Sequence, residues 1–221
     1  MQNERNFGVV FDLWNTLIPL SNELKQKAFI ETAAVLGVKP ESLKKTWQDT
    51  RPYRETQHLL KYFHWLNNEL DAGWSDEKIH RAMEVRRTVH GSAFRTPDAN
   101  AFEVLESLKS NGIQTALVSN CSSDVREMIL SSEIAPLIDK YILSSEVGIM
   151  KPKKEIFEKA AYELGLTCEQ CLYVGDGMDQ ELEGAANAGM MPVLIEREEN
   201  NVWQGARIQT LTSLLEEVEV G

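Results

Sequence analysis

Short apolar runs alternate with amphipathic segments along most of this chain, and this alternation limits the folds that it can adopt. The runs have the length of strands and lie at 9–13, 115–119, 141–143, 171–174 and 192–195. Apolar side chains recur at helical spacing between them, at 99–110, 122–130, 152–164 and 181–188. Strands that alternate with helices predict an α/β fold, in which helices cover both faces of a parallel sheet.

Residues 21–92 interrupt that alternation with helical spacing alone. Apolar residues recur every three or four positions within 24–36, 59–70 and 79–89, and no strand-like run separates these segments. Ser75 is a good N-cap for the last of them. We therefore predict a Rossmann-like core domain of residues 1–20 and 93–221, with an all-α cap domain of residues 21–92 inserted after the first strand.

The composition allows a large packed core and disfavours polyanionic partners. The chain has 221 residues, 43% of them apolar, and a net charge of −11. An acidic surface disfavours nucleic acids and anionic membranes, and no apolar stretch approaches the roughly 18 residues that span a bilayer. The first residues do not resemble a secretory signal, and the three cysteines, including the CxxC pair Cys168 and Cys171, are too few for a disulfide framework. We expect a cytoplasmic protein, either a monomer or a homodimer.

Polar side chains follow the predicted strands at the point where each strand ends. They are Asp12, Ser119 with Asn120, Lys151 before a helix, and Asp176 with Glu181 five residues later. Each alone is common as a cap or a solvated side chain, but the carboxyl ends of parallel strands meet at one edge of a sheet. Paired carboxylates suit Mg²⁺, and lysine and serine suit phosphate oxygens. An aspartate in such a place is able to attack phosphorus.

Two arginines in the predicted cap domain are candidates for binding a second anionic group. If residues 51–70 are helical, Arg51, Arg54 and His58 share one face. Two guanidiniums there suit an anionic part of a substrate. The alternative is a solvated basic stripe on an acidic protein.

Taken together, these segments resemble the haloacid dehalogenase (HAD) superfamily with a helical, C1-type cap inserted after motif I. FDLWNTL at 11–17 resembles motif I, LVSN at 117–120 resembles motif II, and the Lys151-Pro152 pair resembles motif III. YVGDGMDQELEGAANAGM at 173–190 resembles motif IV with its following helix. The resemblance covers the chain from about residue 8 to residue 193.

The resemblance implies a Mg²⁺ site and a nucleophile. Asp12 would be both nucleophile and metal ligand, and Trp14 would offer its backbone carbonyl to the metal. Asp176 would complete the site, and Glu181 would bind a metal water or Lys151.

The resemblance also implies which residues bind the phosphoryl group of a small phosphorylated metabolite. Ser119, with Asn120 beside it, would hold that group, and Lys151 would neutralise the nucleophile and the transferring phosphoryl. Thr16 would hydrogen-bond near the nucleophile. Asp179 lies off the usual spacing and is given no principal role.

Trp14 departs from the family pattern, because phosphatases of this family usually carry an aspartate there. That aspartate protonates the leaving oxygen and then activates water, and indole does neither. Asn15 is also unusual, since the family generally has glycine at this position. Three functions stay open: a Mg²⁺-dependent phosphatase without this acid, a dehalogenase-like enzyme acting at carbon, and a nearly inactive phosphoryl-binding protein.

We predict that Trp14→Asp raises phosphatase activity if the indole merely stands where the acid is missing. General acid–base help is typically worth ~10²–10⁴-fold. Turnover of a simple alkyl phosphate measures this best, because such a leaving group depends most on the acid. No gain in turnover would mean that the pocket is built around the indole ring.

Overall fold

Six parallel strands form a single sheet in this computed structural model, which describes residues 7–197 and 202–219. The strands lie in the order β3-β2-β1-β4-β5-β6, so β1 lies inside the sheet, between β2 and β4. Their bounds are β1 Gly8–Phe11, β2 Gln114–Ser119, β3 Lys140–Leu143, β4 Cys171–Gly175, β5 Met191–Ile195 and β6 Ala206–Ile208.

Helices cover both faces of this sheet. Five helices lie between β1 and α6 and are described below as α1 to α5. The others are α6 Ala101–Ser110, α7 Val125–Leu130, α8 Ser144–Val147, α9 Lys154–Leu164, α10 Glu181–Ala188 and α11 Ser213–Glu219. Alternate residues of a strand point to opposite faces. Phe11 accordingly packs in one apolar cluster with α6 and α7, and Val10 packs in the other with α9 and α10.

The segment between β1 and α6 is helical and has an apolar cluster of its own. Its helices are α1 Asn22–Leu36, α2 Pro40–Asp49, α3 Arg51–Arg54, α4 Leu59–Glu69 and α5 Asp76–Gly91. The cluster joins side chains of α1, α2, α4 and α5, with Tyr62 and Phe63 fully buried at its centre. We call residues 22–91 the helical segment.

Contacts fasten the helical segment to the ends of β2 and β3. Arg86 of α5 donates to Asp124, just before α7, over 2.7 Å, and both side chains are buried. The hydroxyl of Ser144 donates to the Glu55 carbonyl over 2.6 Å, and the Leu59 amide donates to the Ser123 hydroxyl over 2.9 Å.

The predicted α/β fold class with a parallel sheet is confirmed. The five predicted strands are present as β1 to β5 with shifted ends, and the sequence did not predict β6 or α2. The sequence at 211–220 also predicts an amphipathic closing helix with an acidic end; α11 corresponds to it, and residue 220 lies outside the described part of the chain. The domain boundaries at residues 20 and 92 stay a prediction. Within the described residues, no helix is long and apolar enough to cross a membrane.

The condition under which Arg51, Arg54 and His58 would share one helix face is not met. Residues 51–70 do not form a continuous helix, because the chain leaves helical geometry between α3 and α4. His58 is extended and caps α4, with its ring nitrogen accepting from the Leu60 amide. The bonds from Ser144 to Glu55 and from Leu59 to Ser123 hold backbone groups at this break.

Gly184 of α10 packs closely against Pro152 and against Phe157 of α9. A Cβ atom at this residue would lie 2.5 Å from the Pro152 carbonyl oxygen and 2.9 Å from the Phe157 ring. We predict that Gly184→Ala lowers the free energy of unfolding by about 1–3 kcal/mol, because overpacking forces backbone shifts. Denaturant unfolding measures this. Gly91→Ala in α5 is the control, since a Cβ there meets nothing within 4 Å; an equal loss in both variants would contradict the prediction.

Candidate active site

Four side chains that the sequence singled out converge where the carboxyl ends of the strands meet. Asp12 follows β1, and its amide donates to the Val174 carbonyl of β4 over 2.8 Å. Lys151 and Glu181 reach the same place, and Asp176 follows β4. These residues line a cavity of about 310 Å³ between the sheet edge and the helical segment.

The ammonium of Lys151 lies at the centre of this group. Its Nζ is 2.5 Å from Asp12 Oδ1 and 2.5 Å from Glu181 Oε2, and it is 3.0 Å from the Tyr173 hydroxyl. The Tyr173 hydroxyl in turn donates to Glu181 over 2.7 Å. All four side chains are buried. The three hydrogen bonds of the ammonium are therefore all made inside the protein.

The two carboxyl groups beside Lys151 are harder to ionise than usual. Burial raises the pKa of the Asp12 carboxyl to about 6, although Lys151 lowers it. Burial also raises the pKa of Glu181 to about 8, again against the attraction of Lys151. Burial would lower the pKa of Lys151, but Asp12 and Glu181 outweigh it and hold that pKa above its usual value. One ammonium between two carboxylates, with Asp176 nearby, favours a further cation.

The carboxylates of Asp12, Asp176 and Glu181 fit a divalent cation. One oxygen of each lies within 4.8 Å of the others. Three hard oxygen donors suit Mg²⁺. The oxygens of Glu181 also accept from Lys151 and, over 3.1 Å, from the Gly177 amide, so this side chain is suited to act through a water. The ligand role predicted for the Trp14 carbonyl stays a prediction.

Asn15 adopts a left-handed backbone conformation in the loop after β1, at the position where the family generally has glycine. Its backbone has φ 59°, in the left-handed region that asparagine tolerates better than most residues. Its amide nitrogen donates to Asp176 Oδ2 over 3.1 Å, and its amide oxygen accepts from the Leu20 amide over 3.0 Å. Asn15 therefore links the loop after β1 to the carboxylate after β4.

Arg197 braces the same loop from the end of β5. Its Nε donates to the Asn15 carbonyl over 2.7 Å, and one terminal nitrogen donates to the Thr16 carbonyl over 3.0 Å and to Asp98 over 2.7 Å. Sequence analysis missed this residue. Its one signal is a cation two residues beyond the strand-like run at 192–195.

Trp14 fills space between the sheet edge and the helical segment. Its ring meets Phe94 edge-on with the centroids 5.6 Å apart, and it lies 6.4 Å from the His90 ring of α5. The side chain is partly buried and lines the cavity.

The residues predicted to hold a phosphoryl group differ in their surroundings. Ser119 and Thr16 are fully buried, and neither is among the described residues that line the cavity. Asn120 lines the cavity. Its amide oxygen accepts from the Lys151 amide over 2.9 Å, and its nitrogen donates to the Lys151 carbonyl over 3.1 Å.

Arg51 and Arg54 both line the cavity, but their partners differ. Arg51 donates through two nitrogens to the two oxygens of Asp179, over 2.8 and 2.7 Å, and through Nε to Glu55 over 2.9 Å. Arg54 is buried, with its guanidinium 4.3 Å from the centre of the Trp47 ring and its NH1 donating to the Trp47 carbonyl over 2.7 Å. The role predicted for both in substrate binding stays a prediction.

Asp179 is a residue of the cavity that sequence analysis set aside. Besides Arg51, it accepts from Asn120 Nδ2 over 2.9 Å. It therefore joins the sheet edge to the helical segment. The available signal was an additional carboxylate within the short loop between Asp176 and Glu181.

Comparisons with known proteins agree with this geometry. The family model described as haloacid dehalogenase-like hydrolase matches residues 8–189. A glyceraldehyde 3-phosphate phosphatase of Methanopyrus kandleri is 28% identical over 199 residues, which cover 86% of this chain and 84% of that protein. An (S)-2-haloacid dehalogenase 4A of Burkholderia cepacia is 26% identical over 200 residues, which cover 86% and 83%. The crystal structure of a HAD phosphatase from Thermococcus onnurineus matches with a TM-score of 0.68 at 19% identity, over 96% and 97% of the two chains, and so shows the shared fold.

We predict that Arg197→Ala lowers the free energy of unfolding by about 1–3 kcal/mol, because it leaves two loop carbonyls and Asp98 without their charged donor. Denaturant unfolding measures the loss. Arg87→Ala is the control: Arg87 pairs with Glu127 in an exposed salt bridge, which is worth about 0–1 kcal/mol. Equal losses in the two variants would show that Arg197 does not brace the loop.

Proposed function

Because this chain belongs to the haloacid dehalogenase-like hydrolase family, we propose that it is a Mg²⁺-dependent phosphatase or phosphotransferase for a small phosphorylated metabolite. The observation that carries the proposal is the buried Lys151 ammonium between Asp12 and Glu181, with Asp176 beside them. A nucleophile, a cation for the phosphoryl charge and a carboxylate set for a metal are the parts that this reaction needs. The similarity to the glyceraldehyde 3-phosphate phosphatase supports it.

In the proposed reaction Asp12 attacks the phosphorus of the substrate. A bond forms between its carboxylate oxygen and phosphorus, and the bond to the leaving oxygen breaks with the electron pair going to that oxygen. Water then attacks the aspartyl phosphate, which releases inorganic phosphate and restores the carboxylate; a phosphotransferase would use a second hydroxyl instead. Lys151 holds the nucleophile in place and offsets the negative charge of the phosphoryl oxygens.

Asp12 and Asp176 would hold the Mg²⁺ ion, with the Trp14 carbonyl and a water on Glu181 completing its ligands. When bound, the ion supplies positive charge that offsets the phosphoryl oxygens. Glu181 and Tyr173 keep the Lys151 ammonium directed at Asp12, because they bind its other two hydrogens.

Trp14 limits which substrates are turned over quickly. Indole gives no proton to the leaving oxygen, so good leaving groups such as acyl phosphates and phosphoanhydrides are expected to react fastest. Poor leaving groups would need a proton from the substrate, from water or from the helical segment.

The helical segment would act as the cap that selects the substrate. Arg51 and Arg54 would bind anionic parts of the substrate, and Asn120 would hold the phosphoryl group. Ser119 and Thr16 would come next to the phosphoryl group only if it reached beyond the residues that line the cavity.

A dehalogenase-like activity at carbon is the second candidate. It is favoured by the similarity to the (S)-2-haloacid dehalogenase and by the aromatic residue at position 14. Displacing halide needs neither a leaving-group acid nor a metal. The carboxylate of Asp176 counts against it, because it suits a cation better than a neutral pocket.

We predict that phosphate release from acetyl phosphate and from p-nitrophenyl phosphate requires both Mg²⁺ and Asp12. Wild type, Asp12→Asn and the control Asp49→Asn are each assayed with Mg²⁺ and with EDTA. Asp49 pairs with Lys45 on an exposed helix face, so this variant should retain full turnover, whereas Asp12→Asn and EDTA should abolish it.

No turnover of either substrate by wild type would overturn the phosphatase proposal. Release of halide from 2-haloacids without metal would then establish the second candidate. Phosphate affinity without either activity would identify a phosphoryl-binding protein.

A further inference from the structure

We propose that the Asp179 carboxylate is an internal competitor of the substrate phosphoryl group, and that it thereby sets the affinity of the site. The inference rests on the proposed function, since it concerns the same cavity. It assigns a role to a residue of the motif IV segment to which the resemblance gives no principal role.

Two donors meet at one oxygen of Asp179. Asn120 Nδ2 lies 2.9 Å from Oδ2, and a terminal nitrogen of Arg51 lies 2.7 Å from the same atom. A second nitrogen of Arg51 lies 2.8 Å from Oδ1. Asn120 comes from the end of β2 and Arg51 from the helical segment. Together their donors form a binding position for a negatively charged oxygen, which we call the oxyanion position, between the sheet and the helical segment.

Asn120 is also fixed to the reaction centre. It exchanges two hydrogen bonds with the backbone of Lys151, whose ammonium contacts Asp12. The donor nitrogen of Asn120 is therefore linked through a single residue, Lys151, to the nucleophile. A phosphoryl oxygen entering this cavity would meet the same donors that Asp179 occupies.

Asp179 fills that position as an anion. Arg51 donates to both of its oxygens and Asn120 donates to one of them, and all three bonds favour the ionised carboxylate. A phosphoryl group and a carboxylate are both negatively charged, so they do not share the donors without repulsion. Substrate binding must then separate Asp179 from Arg51 and Asn120.

The alternative role for Asp179 is to orient Arg51 for the substrate, as carboxylates often do for guanidiniums. The two roles predict opposite effects of removing the charge. A competitor weakens substrate binding, so its removal tightens binding; an orienting residue supports binding, so its removal weakens it.

The test is the affinity for inorganic phosphate, measured by calorimetry in the presence of Mg²⁺ on wild type and Asp179→Asn. We expect Asp179→Asn to bind at least about tenfold more tightly, because a neutral amide no longer repels phosphate. Asp179→Gly is the second variant, since the backbone at this position has φ 56°, which glycine adopts freely. Thermal unfolding of each variant shows that it is folded.

Glu55→Gln is the matched control, because it removes a charge of the same sign from the same guanidinium. Among the described residues, Glu55 makes no hydrogen bond with Asn120. Removing the charge of Glu55 therefore leaves Asp179 in the oxyanion position. A gain in Glu55→Gln as large as that in Asp179→Asn would reduce the effect to general electrostatics and overturn the proposal.

Turnover of acetyl phosphate separates this inference from the proposed function. For an active wild type we expect Asp179→Asn to lower KM with little change in kcat. An inactive wild type would refute the proposed function, and the phosphate titration would still test Asp179. If both Asp179 variants bind phosphate as weakly as wild type, more weakly, or not detectably, the proposal that Asp179 competes with the phosphoryl group is overturned.

Discussion

The ammonium of Lys151 is the group on which the rest of this site depends. A buried charge that loses a partner is strongly destabilising, commonly by about 3–5 kcal/mol, and here the partners come from three separate parts of the fold. Asp12 follows β1, Tyr173 lies in β4 and Glu181 begins α10. The contacts that hold the sheet edge together are thus the same contacts that direct the nucleophile. Stability and chemistry are not separable at this point of the chain.

Around that centre, neighbouring loops are tied together by side chains that have no direct place in the proposed reaction. Asn15 connects the loop after β1 to Asp176, and Arg197 holds two carbonyls of the same loop. Trp14 leaves this loop toward α5 and occupies volume where the family usually has a carboxylate. The backbone of this loop, two of whose side chains differ from the family pattern, is therefore held by a side chain from outside the loop.

The sequence was enough to predict the fold class and the convergence of Asp12, Lys151, Asp176 and Glu181. Alternating apolar runs specify a parallel sheet, and a parallel sheet brings its carboxyl ends together. Asp179 and Arg197 were missed because their partners lie more than 50 residues away and are reached by side chains, which leave no periodic trace. The three-residue β6 is too short for a pattern. A continuous helix over 51–70 is absent because Ser144 donates to the Glu55 carbonyl and Ser123 accepts from the Leu59 amide, and local propensity does not encode either contact.

Most of the contacts described here between the helical segment and the sheet lie on one side of β1, so the segment is expected to move more on the other side. The buried pair of Arg86 and Asp124 and the bonds at Ser123 and Ser144 all lie beyond β2 and β3. The pair of Arg51 and Asp179 lies beyond β4, on the other side of β1. If the segment tilts, we expect its pivot at the β2–β3 side and its opening margin at Asp179. Molecules would then enter and leave the cavity on the side where Asp179 pairs with Arg51, opposite the side at which the segment is fixed.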